Sequence, residues 1–214
     1  MSEDIFPPAA SGVSVQTKTF TASGSFTQPA GYSWLEGEIQ AAGGGSTSSN
    51  TGGGGEWVGF SVPCPAGTTV TVTIGAANVG ATGSDSTVAI SGEYTAITAK
   101  GGVTGNPGSG GGRKGPAGVS NAVGADAVIE GLTSISGAAP GGNTGTNNGG
   151  ACEQWPGGTG GLNHGGGGAA KSGPGGPGAV ASTTPSQGFG GGAGANSAGS
   201  SAGAPGFVRL TPKI

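Results

Sequence analysis

The chain has 214 residues, of which 54 are glycine and 14 proline, while charged residues make up 8% and aromatics 5%. Glycine costs about 1 kcal/mol at an interior helix position and proline about 3, which excludes a helical protein; no stretch nears the roughly 18–20 apolar residues of a membrane-spanning helix. A formal net charge of −3 gives no electrostatic case for a nucleic-acid or anionic-membrane partner, and the glycines keep no strict period of three, which excludes collagen.

Residues 1–12, with Pro7-Pro8, read as an extended docking arm. They lack the apolar core of a secretory signal, so synthesis in a cytoplasm is expected. Strand patterns begin directly after the arm. Val13 to Phe20 alternates Val13, Val15 and Thr17 with Ser14, Gln16 and Lys18. Trp34 to Ala41 puts Leu35, Gly37, Ile39 and Ala41 on one face, with Trp34, Glu36, Glu38 and Gln40 opposite. Glu56 to Val62 places Val58, Phe60 and Val62 inward and Trp57, Gly59 and Ser61 outward. Thr68 to Ile74 is the cleanest alternation, with Val70, Val72 and Ile74 against threonines. Val88 to Ile90 and Tyr94 to Thr98 read as two more strands across the turn Ser91-Gly92-Glu93. Six short strands with period-2 faces predict an all-β protein, an antiparallel β-sandwich or jelly-roll-like module.

Composition changes near residue 100: residues 1–100 hold 17 of the glycines and residues 101–214 the other 37. Between 101 and 206, only Ala125 to Ile135 has the pattern of a strand or short helical turn. Phe207 to Thr211 alternates again, and a strand there needs a partner, most simply the N-terminal sheet. The predicted organisation is a module of residues 13–100 plus 207–214, into which a glycine-rich domain, 101–206, is inserted. The glycines are clustered at 52–55, 110–112, 165–168 and 190–192, as a flexible linker has no need to be. Ordered poly-glycine forms threefold extended helices whose N–H and C=O groups point sideways. The inserted domain is therefore expected to be packed polyglycine-II (polyproline-II-like) helices joined by backbone hydrogen bonds. Few apolar side chains over such a length favour oligomerisation.

Motifs for chemistry are sparse. Gly110 to Gly115 fits the dinucleotide pattern GxGxxG, and Gly165 to Ser172 approaches a phosphate loop, but prolines and glycines come next where a helix is required. His164 is the sole histidine and reads as a loop residue in solvent; Arg113-Lys114 is a solvated basic doublet. Asp85, between Ser84 and Ser86, reads as a turn cap. Glu36 and Glu38 share a strand face, read as solvated or subunit-facing. Cys64 and Cys152, the only cysteines, read as buried thiols rather than a disulfide. No enzyme activity, cofactor or metal is expected. Trp155 has two readings: a plug between glycine helices or at a subunit interface, and an exposed aromatic at a loop tip. With Asn143, Thr144, Asn147 and Asn148 beside it in sequence, the second reading makes residues 143–155 a candidate receptor-binding loop.

Several segments stand in a definite order: Phe20 to Gly31, an alternating strand, Gly43 to Gly45, Gly52 to Gly55, Glu56-Trp57-Val58-Gly59-Phe60, and Pro65 to Gly75. With Gly83 to Thr87, the glycine-rich expanse and the ending Ala204 to Leu210, this order resembles glycine-rich tail proteins of bacteriophages over roughly residues 18–211. The resemblance is also one of design to the poly-glycine tip adhesin of T-even-like phages, although the aromatic-rich loops of that adhesin are missing here. It implies a virion protein of the minor tail, tail-fibre or tip type, made in the host cytoplasm and contributing to host attachment. The implied partners are further copies of itself, as a homotrimer, other tail proteins, and a host-surface glycan or protein receptor. Two alternatives are an ordered glycine-rich ice-binding protein, which would want a regular Gly-x-x repeat, and a tail-associated glycan hydrolase, which would want a carboxylate pair in a catalytic setting.

Overall fold

The computed structural model describes residues 17–92, 96–105, 133–135, 137, 148–152, 155–159, 167–176, 188–195 and 199–214. The N-terminal arm, the start of the first predicted strand, Tyr94 and residues 125–132 lie outside them, as do Arg113-Lys114 and His164. The described residues form no helix, only strands β1 (Lys18–Phe20), β2 (Gly24–Thr27), β3 (Trp34–Gln40), β4 (Thr51–Gly52), β5 (Trp57–Pro63) and β6 (Thr69–Thr73), then β7 (Ser86–Ile90), β8 (Ile97–Ala99), β9 (Thr104–Gly105), β10 (Thr133–Ile135) and β11 (Phe207–Lys213). The protein is all-β, and every strand pairing is antiparallel.

One sheet has the order β1-β11-β3-β5-β10, a second β2-β6-β7-β8, and β4 pairs with β9. The C-terminal strand does pair with the N-terminal sheet, lying between β1 and β3 in the register Val208↔Ile39 and Leu210↔Gly37. The two larger sheets share one apolar core. Leu35, Ile39, Val58, Val62, Val208 and Leu210 come from one side, and Val70, Val72, Val88, Ile90 and Ile97 from the other. Each such side chain contributes about 1.5–3 kcal/mol on burial. Cys64 and Cys152 are buried and unpaired with each other. Phe60 spreads its ring over Gly37, its cross-strand neighbour, where a Cβ would collide with the ring.

Two residues depart from the alternation. The pattern predicts Gln40 and Trp57 on the solvent face, yet both are buried. Gly190 approaches the Gln40 side chain and Lys171 caps the Trp57 ring, and both belong to a glycine-rich bundle that begins at the strand ends. β3 runs on into segment 41–46, β8 into 100–104, and segments 52–56, 81–85 and 201–206 lead into β5, β7 and β11. All five segments meet at one end of the two sheets, where they pack against each other and cover that end.

Their hydrogen bonds are periodic. Segment 41–46 donates six consecutive backbone N–H groups in a cycle of three. Ala41 and Gly44 donate to the carbonyls of Glu56 and Gly53, Ala42 and Gly45 to those of Ser84 and Ala81, and Gly43 and Ser46 to those of Ala204 and Ser201, at 2.8–3.3 Å. Segment 52–56 does the same with two neighbours: Gly52 and Gly55 donate to Ala193 and Gly190, and Gly53 and Glu56 to Val103 and Lys100. A strand would send alternate groups to opposite sides; here the direction returns only after three residues. Later segments join in series, Gly149 donating to Gly158, Gly158 to Gly167, Gly167 to Gly176 and Gly176 to Gly192, at 2.8–2.9 Å. The bundle therefore draws on segments from both sides of residue 100.

Close approach explains why these positions are glycine. A Cβ on Gly44 would sit 2.8 Å from the Gly102 carbonyl oxygen, and one on Gly43 2.7 Å from that of Gly190. Alanine appears where there is room, and Ala41, Ala42, Ala169, Ala170, Ala193 and Ala195 are all fully buried.

Candidate functional site

The outer face of the five-stranded sheet is built from register. Phe207, Gln40, Trp57 and Ile135 stand in one row across β11, β3, β5 and β10. Arg209, Glu38 and Gly59 form the next row, and Thr211, Glu36 and Ser61 the one after.

The first row lies beneath the glycine bundle. The Gln40 Nε2 amide group donates to the carbonyl oxygens of Ala41, Gly55 and Glu56 at 3.2, 3.0 and 3.1 Å. Ser86 Oγ donates to the Gln40 carbonyl at 2.9 Å and accepts from the Gly75 N–H at 2.9 Å. Phe207 meets Phe189 edge to face, with centroids 5.0 Å apart. Trp57 is 9% exposed. Its ring lies over Gly59, where a Cβ would be 2.5 Å from the indole, and is capped by Lys171, whose Nζ is 3.4 Å from the ring centroid. Lys171 is presented there by a tight turn in which Ala170 and Gly173 exchange backbone hydrogen bonds at 2.9 and 3.3 Å. Such a cation–π contact contributes about 0.5–2 kcal/mol.

The other rows are open. Glu38 Oε2 pairs with Arg209 at 3.3 Å, and Glu36 Oε2 with Lys213 at 3.0 Å. Thr17 and Thr211 share a hydroxyl hydrogen bond of 3.0 Å. Between these rows and the capped indole runs a groove of about 400 Å³, lined by Glu36, Glu38, Trp57, Ser61, Lys171 and Arg209 among others. Two acidic and two basic side chains line it, so the groove carries no net charge from them. Alternation put Glu36 and Glu38 on a common face; it held no signal for Lys171, whose place depends on a turn far along the chain.

The residues expected at a receptor-binding loop are only partly described. Asn143, Thr144 and Asn147 lie outside the described residues. Asn148 is exposed. Trp155 is half-buried, exchanges backbone hydrogen bonds with Cys152 at 2.9 and 3.0 Å, and packs with Ile135, Cys152 and Ala169. Its indole Nε1 is turned away from solvent. Asp85 is not a local turn cap: its Oδ1 accepts the Gly101 N–H at 2.9 Å and its Oδ2 pairs with Lys100 at 3.2 Å, because β7 and β8 bring 85 and 100 side by side. Gly167 to Ala170 lie in the bundle, and the described residues directly after them, 171–176, are a turn and extended chain rather than the helix that a phosphate loop requires. Among the described residues no three His, Cys, Asp or Glu side chains gather as metal ligands, and no helix is long and apolar enough to cross a membrane. Comparison with protein-family models finds no match, and neither does comparison with curated proteins.

Proposed function

We propose that this chain is a structural protein of a bacteriophage tail, of the minor tail, fibre or tip type, that contributes to host attachment. The observation that carries the reading is the three-residue donor cycle of segments 41–46 and 52–56. A threefold cycle is what polyglycine-II helices require, since such helices have three residues per turn and no internal hydrogen bonds. We take the bundle to be a lattice of these helices, seeded by a jelly-roll-like sandwich of the two sheets. The strands deliver five segments to one end already side by side, so the entropy of aligning them, about 1–2 kcal/mol per residue, is partly met by the strand module. The outcome is a stiff projection made of backbone, with few side chains to support it. That is the design of the poly-glycine tip adhesin of T-even-like phages, to which this sequence bears a resemblance of design.

In this reading the protein resides in the virion, assembles as a homotrimer, docks on other tail proteins through residues 1–12, and presents the 143–155 loop to a host-surface glycan or protein. Mass spectrometry of purified virions, with tail density located by cryo-electron microscopy, tests the assignment. The expected result is this chain in stoichiometric amount at the tail; virions that lack it would refute the reading.

A further inference from the structure

We propose that the groove on the outer face of the five-stranded sheet is a binding site for a neutral saccharide. The site deepens the proposed attachment role and rests on it for its biological meaning, but its chemistry stands on the groove itself. At about 400 Å³ the groove falls within the range of small-ligand sites. It opens between two different structures, the sheet on one side and the Lys171 turn of the glycine bundle on the other, so its shape is held by both.

Its lining alternates acceptors and donors. Glu36 and Glu38 each use Oε2 in an ion pair, with Lys213 and Arg209 respectively, and the Oε1 of each has no described protein partner. Carboxylate oxygens held this way accept hydrogen bonds from hydroxyl groups, and charge-assisted bonds of that kind are the stronger class. Arg209, Lys171 and Ser61 supply donors around them. A ligand that meets such a set carries several hydroxyls, each both donor and acceptor, on a compact frame; that describes a sugar. The two lining carboxylates balance the lining cations, so an anionic ligand would gain from Lys171 and Arg209 only by meeting Glu36 and Glu38. This selects for a neutral saccharide. Trp57 is not a stacking platform here, because Gly59 and Lys171 occupy its faces; it serves as a wall that fixes Lys171.

The test is titration of the full chain, tracked through the backbone amide signals of Gly37, Gly59 and Lys171. The probes are neutral oligosaccharides (maltotriose, mannotriose and galactotriose) and one anionic probe, trimeric sialic acid. Saturable shifts at these amides with at least one neutral probe are expected, weakened about tenfold or more by Glu38→Gln and by Lys171→Ala. Glu38 is half-exposed, so its variant should fold. Thr71→Ala, on the exposed face of β6 in the other sheet, should leave binding unchanged. No saturation by any neutral probe up to about 10 mM, tenfold above a dissociation constant of about 1 mM, would overturn the proposal. So would preferential binding of the sialic-acid trimer, or shifts unaffected by both groove variants. Failure here leaves the virion measurement standing, and absence from virions leaves this titration standing, so the two readings fail separately.

Discussion

Adding one methyl group at Gly43 should cost more stability than adding one at Gly92, although Gly92 has the more demanding backbone. Gly43 lies outside the left-handed region, so alanine meets no conformational penalty there. Its new Cβ would overlap the Gly191 carbonyl and lie 2.7 Å from the Gly190 oxygen, both backbone. Relief requires segment 190–193 to move away. That segment is held by seven bonds of 2.7–2.9 Å: Gly190 to Pro205, Gly55 to Gly190, Ala204 to Gly191, Gly192 to Gly168, Gly176 to Gly192, Gly52 to Ala193 and Ala193 to Gly44. At about 1 kcal/mol net for each bond, displacing it costs about 7 kcal/mol. Tolerating the overlap as strain costs about 1–3 kcal/mol, and the smaller penalty sets the outcome. Gly43→Ala should therefore lose about 2–3 kcal/mol, the upper part of that range, because the atoms it meets are backbone. Gly92 has open space around its missing Cβ but a φ of 83°, which costs alanine about 1 kcal/mol. Urea unfolding of both variants, compared at equal slope, measures the difference. Gly43→Ala losing no more than Gly92→Ala would refute close packing as the reason for glycine in the bundle.

Two further substitutions probe the joint between sheets and bundle. Gln40→Leu keeps the volume but removes the donor shared by three carbonyls; Glu56 retains the Ala41 N–H, while Ala41 and Gly55 lose the Gln40 donor. At about 1–3 kcal/mol for each of the two buried carbonyls left unpaired, offset by removal of the buried, unpartnered Gln40 Oε1, thermal and urea unfolding should register a net loss of about 1–3 kcal/mol. Arg209→Ala, by contrast, breaks an ion pair whose side chains are 48% and 41% exposed, so the same assays should find a change of less than about 1 kcal/mol that shrinks further in high salt.

The strand module was legible because its faces differ chemically. Leu35 and Ile39 on β3, and Val70 and Val72 on β6, alternate with polar neighbours, and all four are buried where alternation puts them. Gln40 and Trp57 obey the same period and are buried anyway, since a second structure covers their row of the sheet. Period-2 reasoning sees the faces of a strand and not what lands on them. The strand Gly24–Thr27 was not anticipated: only Phe26 on it is even half-buried, so it carries little apolar signal. The bundle was legible as clustered glycine, but not its wiring. Its bonds join backbone groups, as between Gly43 and Ala204 or Gly52 and Ala193, and backbone groups are the same for every residue type. The groove was half legible: Glu36 and Glu38 share a face by spacing alone, whereas Lys171 reaches them only through the fold.

The central claim is that the glycine-rich segments are held by ordered backbone hydrogen bonds in a three-residue cycle. Amide hydrogen exchange at Ala41 to Ser46, read residue by residue, tests it most directly. All six consecutive N–H groups have a carbonyl partner, so all six should exchange at least about a thousandfold more slowly than an unstructured glycine chain, the protection that an opening cost of about 4 kcal/mol confers. Exchange within about tenfold of the unstructured rate at these positions, with β3 and β5 still protected, would show that opening costs less than about 1.4 kcal/mol, and the bundle would not be the structure described.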